Sequence, residues 1–189
     1  MPKRWIPPLM TLVVLALAGC AGPAEVFRDP NMDFGALHTV AIMPLANLTR
    51  ESSAAERVRD VFTTKLLASG ALYVIPPGEV ARGISRVGIS NPVAPSTEEL
   101  TKVAGVIKAD AVITGTVKEY GEVRSGSSAA NSISLSFQLL ETQTGRVVWS
   151  ASTTMGGIGI TDRLFGGGGE PMNDITERAV NDAIKKLFQ

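Results

Sequence analysis

The side chain with the most distinctive chemistry is Cys20, the only cysteine among the 189 residues. A lone thiol forms no intramolecular disulfide and no thiolate metal cluster. Its place in the chain gives it meaning. Lys3 and Arg4 precede an almost wholly apolar run from Leu9 to Leu17, and Ala18-Gly19 puts two small residues directly before the thiol. A basic start, a short apolar stretch and a small-residue cleavage position together describe a secretory leader. The run is also shorter than the roughly 20 residues that span a bilayer.

Other reactive types are sparse. His38 is the only histidine, so a multi-histidine metal site is excluded. It precedes a strand and has no Gly-x-Ser-x-Gly motif to work with, which suits a strand-end residue better than a catalytic base. Glu98-Glu99 and Asp110 sit where a helix and a strand begin, and they read as start residues rather than an acid/base pair. Glycines at 156, 157, 159 and 166–169 precede a helix and raise the question of a phosphate cradle. The Gly-Lys-Ser/Thr ending and the dinucleotide-binding spacing are both absent, so the segment reads as a loop. Within it Ile158, Leu164 and Phe165 are apolar; they either dock on the sheet or form a protomer or partner contact. The residues point to no catalytic group, no metal and no small-molecule substrate. Once Lys3 and Arg4 are lost with the leader, acidic side chains slightly outnumber basic ones. That balance provides no field for nucleic acid.

The elements that would position these residues follow from periodicity. Residues 20–36 carry no clear period and read as a tether. Thr39 to Leu45 is a short apolar run, consistent with a buried strand. From Glu51 to Ser69, Val58, Val61, Phe62 and Leu66 repeat at helical spacing, Arg57, Arg59 and Lys65 form a solvated face, and Gly70 ends the helix. Leu72–Ile75 is a strand, 78–86 a short helix and 88–95 a loop. Ser96 or Thr97 opens a helix with a stripe of Leu100, Val103, Ala104 and Ile107. Three strands follow over 111–120, 133–140 and 146–153, the second alternating cleanly and the third placing Trp149 in its apolar register. Thr144-Gly145 turns between the last two. A closing helix carries Ile175, Ala179, Ala183 and Leu187 on one stripe. This order predicts a single α/β (α+β) domain: one mixed sheet, an N-terminal β-α-β unit with parallel strands, a C-terminal antiparallel meander and flanking helices.

Two resemblances add to this reading. Leu17-Ala18-Gly19-Cys20 resembles the lipobox of bacterial lipoproteins. It implies cleavage between Gly19 and Cys20, a diacylglycerol thioether on the Cys20 sulfur and an acyl chain on the new amino terminus, which together anchor a protein stably. By the sorting rule of such lipoproteins, Ala21 in place of Asp implies the periplasmic face of the outer membrane. Residues 40–49 (Val-Ala-Ile-Met-Pro-Leu-Ala-Asn-Leu-Thr), 108–117 (Lys-Ala-Asp-Ala-Val-Ile-Thr-Gly-Thr-Val) and 139–150 resemble the CsgG and TolB-N-terminal-like periplasmic lipoproteins. That group includes the curli channel CsgG, the exopolysaccharide accessory protein PelC and LpoB-like activators of penicillin-binding proteins. The matching phrases are strand-and-turn signatures; Gly115 relieves crowding in a packed strand and Gly145 turns a hairpin. The resemblance implies a leader over 1–19, a lipidated tether over 20–36 and a CsgG/TolB-N-like domain over 37–189. It further implies a non-enzymatic assembly or scaffold component of an envelope secretion or surface-structure system, with envelope proteins or a homo-oligomeric ring as partners. An LpoB-like regulator of a peptidoglycan synthase is the alternative. The membrane-crossing hairpins of CsgG have no counterpart of sufficient length in 121–131 or 156–169, since a barrel strand needs about 9–11 residues and a hairpin needs two.

Overall fold

The computed structural model describes residues 26–126, 128–158 and 169–189. Its seven-stranded sheet comprises β1 (Val26–Arg28), β2 (Thr39–Ile42), β3 (Ala46–Asn47), β4 (Tyr73–Val74), β5 (Ala111–Ser125), β6 (Ser128–Glu141) and β7 (Val147–Gly156). Across the sheet the order is β1-β7-β6-β5-β2-β4, and β3 pairs with β5. The four helices are α1 (Ala54–Ser69), α2 (Pro77–Val87), α3 (Thr97–Ile107) and α4 (Met172–Phe188). β2 lies parallel to β4 and β5, whereas β5, β6 and β7 form an antiparallel meander. The mixed α+β sheet expected from periodicity is the observed one.

Alternation along the strands sorts side chains onto two faces. One face carries Ile42, Ile113, Leu135, Phe137, Leu139 and Trp149, packed under α1 and α4. α1 contributes Val58, Phe62 and Leu66, one per turn, and α4 contributes Ile175, Ala179, Ala183 and Leu187. The Phe62 and Phe137 rings meet with centroids 4.5 Å apart and planes inclined by 36°. Lys65 of α1 bridges to Glu177 of α4 at 2.8 Å. The other face is covered only in part: Ala41, Met43, Val112 and Leu140 pack against Val80 of α2 and Leu100, Val103 and Ala104 of α3.

Helix ends follow the residues that satisfy them. Ser96 and Glu99 form a reciprocal capping box at the start of α3, with bonds of 3.2 and 2.7 Å. Gly70 closes α1 at φ 65°, donating its N–H to the Leu67 carbonyl. The turn after β6 is held by Glu141, a buried carboxylate that accepts from the Gln143 and Thr144 amides and the Thr144 hydroxyl at 2.6–2.8 Å. Burial works to raise this carboxyl, and the three hydrogen bonds outweigh it, leaving it below its ordinary value.

Three features depart from the periodic reading. The segment expected as tether is, from Val26 onward, part of the fold: β1 pairs antiparallel with β7, and Phe34–Ala36 makes a short 3-10 turn. Asp29, 5% exposed, anchors this edge through an ion pair with Arg146 at 3.2 Å. Residues 121–125 and 128–131 extend β5 and β6, with pairing from Gly121↔Ser132 out to Ser125↔Ser128. This extension, rich in Ser and Gly, shows no apolar alternation. Lastly, the strand expected over Thr39 to Leu45 ends at Ile42, ahead of Pro44, and Ala46–Asn47 forms the separate β3. Among the described residues no helix is long and apolar enough to cross a membrane.

Candidate functional site

His38 lies exposed just before β2. Its backbone N–H and that of Thr39 donate to the Asp110 carboxylate at 3.0 and 2.8 Å, so Asp110 pins β2 to the start of β5. Glu99 is spent on the α3 cap. Among the described residues no group of three or more histidine, cysteine, aspartate or glutamate side chains could hold a metal. Trp149 is fully buried and donates its indole N–H to the Lys186 carbonyl at 3.0 Å, which makes it core. Arg59 departs from the solvated face expected of it. Its guanidinium reaches under the sheet to the Ile42 carbonyl, at 2.7 Å from Nη2 and 3.2 Å from Nε. Burial depresses the Arg59 pKa, with Asp60 and Glu56 opposing that trend.

The loop-bearing end of the sheet holds the remaining candidates. Both stems of the glycine-rich segment converge on the start of β6. The Gly157 N–H donates to the Asn131 carbonyl at 2.8 Å, and the Asn131 side-chain amide donates to the Glu170 carbonyl at 2.9 Å. Gly156 sits at φ 80°, and a Cβ there would lie 2.2 Å from the Asn131 oxygen. A Cβ on Gly169 would lie 2.9 Å from the Ala130 Cα. These glycines are needed because two backbones approach closely, a reason unrelated to phosphate binding. Ile158 is half-buried where the first stem ends; Leu164 and Phe165 lie outside the described residues. So do Gly19 and Cys20.

Beside these stems a cavity of about 760 Å³ is lined by Leu48, Arg50, Arg57, Lys118, Glu119 and Tyr120, among others. Its charges are mixed in sign and do not converge on one anion. At its rim the Ser53 hydroxyl and amide hold the exposed Glu51 carboxyl below its ordinary value. No signal for Asn131 as the hub of this end was available in the sequence, since an asparagine between Ala and Ser marks a turn more often than a strand.

The opposite feature is a bare sheet face. Beyond α2 and α3, β5, β6 and β7 present Thr114, Thr116, Ser134, Ser136, Gln138, Ser150 and Ser152, none of them buried. Thr154 and Ser134 hydrogen-bond across it at 3.0 Å. Phe27 of β1, opposite Ser150, stands at its edge and is 50% exposed.

Comparison with known proteins places this geometry. The chain is similar to a PelC dodecamer from Paraburkholderia phytofirmans: 19% identity, 87% of this chain and 98% of that one, TM-score 0.57. It is similar to lipoprotein GNA1162 from Neisseria meningitidis, at 18% identity over 80% and 98% of the two chains, TM-score 0.57. It is also similar to the LpoB C-terminal domain from Salmonella enterica, at 15% identity over 67% and 87%, TM-score 0.52. At these identities the likeness is one of fold. No curated protein sequence matches the chain. The family model that matches, over residues 35–162, bears the GNA1162 name rather than that of CsgG or TolB. Because that match spans more than half of the sequence, the chain belongs to the GNA1162-like lipoprotein family.

Proposed function

We propose that this chain is a non-enzymatic envelope lipoprotein, held at the periplasmic face of the outer membrane by diacylglycerol and acyl chains on Cys20. It acts there as an assembly or scaffold component of a secretion or surface-structure system. The observation that carries this reading is membership of a lipoprotein family over residues 35–162, joined to the Leu17-Ala18-Gly19-Cys20 motif. The cavity beside the two glycine-pinned stems carries charges of both signs and offers no convergent site for a small anion, which is compatible with this reading. A fold neighbour is a dodecamer, which supports a ring or other homo-oligomer with Ile158, Leu164 and Phe165 at a contact. The finer kinship with the CsgG and TolB-N-terminal-like group belongs to the same proposal. Cross-linking in envelope fractions and sizing of the detergent-purified protein test it. The expected result is outer-membrane fractionation with higher-order species that Ile158→Asp weakens. A strictly monomeric protein with no cross-linked envelope partner contradicts it.

The LpoB-like reading draws on the fold shared with the LpoB C-terminal domain. The chain's own geometry argues against it. Because β1 begins at Val26, only residues 21–25 separate Cys20 from the sheet. Six backbone steps extend at most about 20 Å, a short reach for a regulator whose target stands across the periplasm. Recovery of a penicillin-binding protein in a pull-down would reverse this preference.

A further inference from the structure

The same short connection restricts how the domain can sit. If Cys20 carries the acyl chains, Val26 lies within about 20 Å of the bilayer surface. β4, the far edge of the sheet, stands five inter-strand spacings from β1, or about 24 Å. Presenting the β4 edge to the membrane would draw the anchor to its full extension, whereas presenting the β1 edge leaves it slack. The near edge has the composition a phospholipid interface accepts. Phe27 is 50% exposed, Val26 38% and Val147 37%. Phe27 lies opposite Ser150, and Val147 lines the same open-face cavity as Ser150, so both apolar side chains flank one surface. On the same face Ser150, Gln138 and Thr114 add hydroxyl and amide groups able to hydrogen-bond to polar headgroups. Arg146, ion-paired with Asp29 at 3.2 Å and with its side chain 67% exposed, lies beside Val147 at the rim. An exposed phenylalanine beside two exposed valines is apolar surface that an interfacial contact can bury.

We propose that the β1–β7 edge, led by Phe27 and Val147, is the face this domain lays on the phospholipid surface that holds its anchor. The domain is then oriented rather than free to tumble, with the β4 edge and its Tyr73, 61% exposed, turned toward the periplasm. This inference rests on the lipoprotein reading of Cys20, and the two can fail separately.

The test is proximity to lipid. The lipidated protein is purified and reconstituted into vesicles containing phospholipids brominated near the headgroup end of the acyl chains, which quench tryptophan at short range. Trp149, the one tryptophan outside the leader, is fully buried and supplies the background. Phe27→Trp and Val147→Trp should each be quenched several-fold more than Tyr73→Trp. Equal quenching at the two edges, or none at positions 27 and 147, overturns the proposal. So does a blue shift at 27 that grows with protein concentration in lipid-free detergent, which would assign this edge to a second copy. Mass spectrometry of Cys20 decides the anchoring reading independently. Where the thiol is bare, coupling it to a maleimide-bearing phospholipid restores the same geometry and the same comparison.

Discussion

Gly115→Ala is the substitution whose cost can be worked most directly from the structure. Gly115 lies in β5 opposite Phe137 of β6. A Cβ at this position would come within 2.6 Å of Phe137 Cδ1 and 2.8 Å of the Ser136 carbonyl oxygen. The Phe137 ring has little room to retreat, being 1% exposed and packed on Phe62 with centroids 4.5 Å apart. Adding a methyl group to a filled core costs about 1–3 kcal/mol. Replacing glycine also restricts the unfolded chain, which offsets about 0.4–1 kcal/mol. The expected net loss is therefore about 1–2 kcal/mol, a fall in Tm of roughly 2–8 °C for a domain of this size. Urea unfolding followed by circular dichroism measures it. Repeating the change in a Phe137→Leu background isolates the cause, because the smaller side chain can yield while the Ser136 carbonyl cannot. The penalty should shrink there by at least about 0.5 kcal/mol. A neutral Gly115→Ala, or an equal cost in both backgrounds, would refute the crowding argument.

Other consequences can be read in the same way. The Glu141 carboxyl is held below its ordinary value in the folded state, so its contribution is present above the ordinary carboxylate range and is lost as pH falls through the depressed value. Thermal melts should show stability declining below about pH 4, and Glu141→Gln should lower the neutral-pH Tm while flattening that decline; an unchanged acid limb would contradict the assignment. Ser96→Ala removes one arm of the α3 capping box and should cost about 1 kcal/mol, checked by equilibrium unfolding. Gly156→Ala places a methyl group at positive φ against the Asn131 carbonyl and should cost more than about 2 kcal/mol. Amide exchange should show the loss concentrated at the β6–β7 end rather than at α3.

The sequence was most readable where one face of an element is buried. α1, α3 and α4 show their apolar stripes, and β6 alternates because it lies between helices on one side and water on the other. Gly70, the α3 start at Ser96 or Thr97 and the Thr144-Gly145 turn were legible because each requires a particular residue type. β1 was not, since three residues, Val-Phe-Arg, are too few to show a period and their pairing with β7 is a long-range choice. The hairpin extension of β5 and β6 escaped notice for a related reason: it is short, rich in Ser and Gly, and Val123 is its only large apolar residue. Arg59 and Asn131 were missed because a charged helix residue and a strand-end amide advertise solvent. Their backbone partners, Ile42 and Glu170, become neighbours only after folding. The residues proposed for lipid attachment remained the clearest chemical signal throughout, because a single thiol after Leu-Ala-Gly has few other uses.

The central claim is that Cys20 is the membrane attachment of a partner-binding domain, and intact mass spectrometry of the protein purified from envelope membranes tests it most directly. The predicted result is a mature chain beginning at Cys20, carrying a diacylglyceryl thioether and an N-linked acyl chain, with Cys20→Ala abolishing both the modification and membrane retention. A chain that keeps its leader, or one cleaved elsewhere with Cys20 unmodified, would contradict the account.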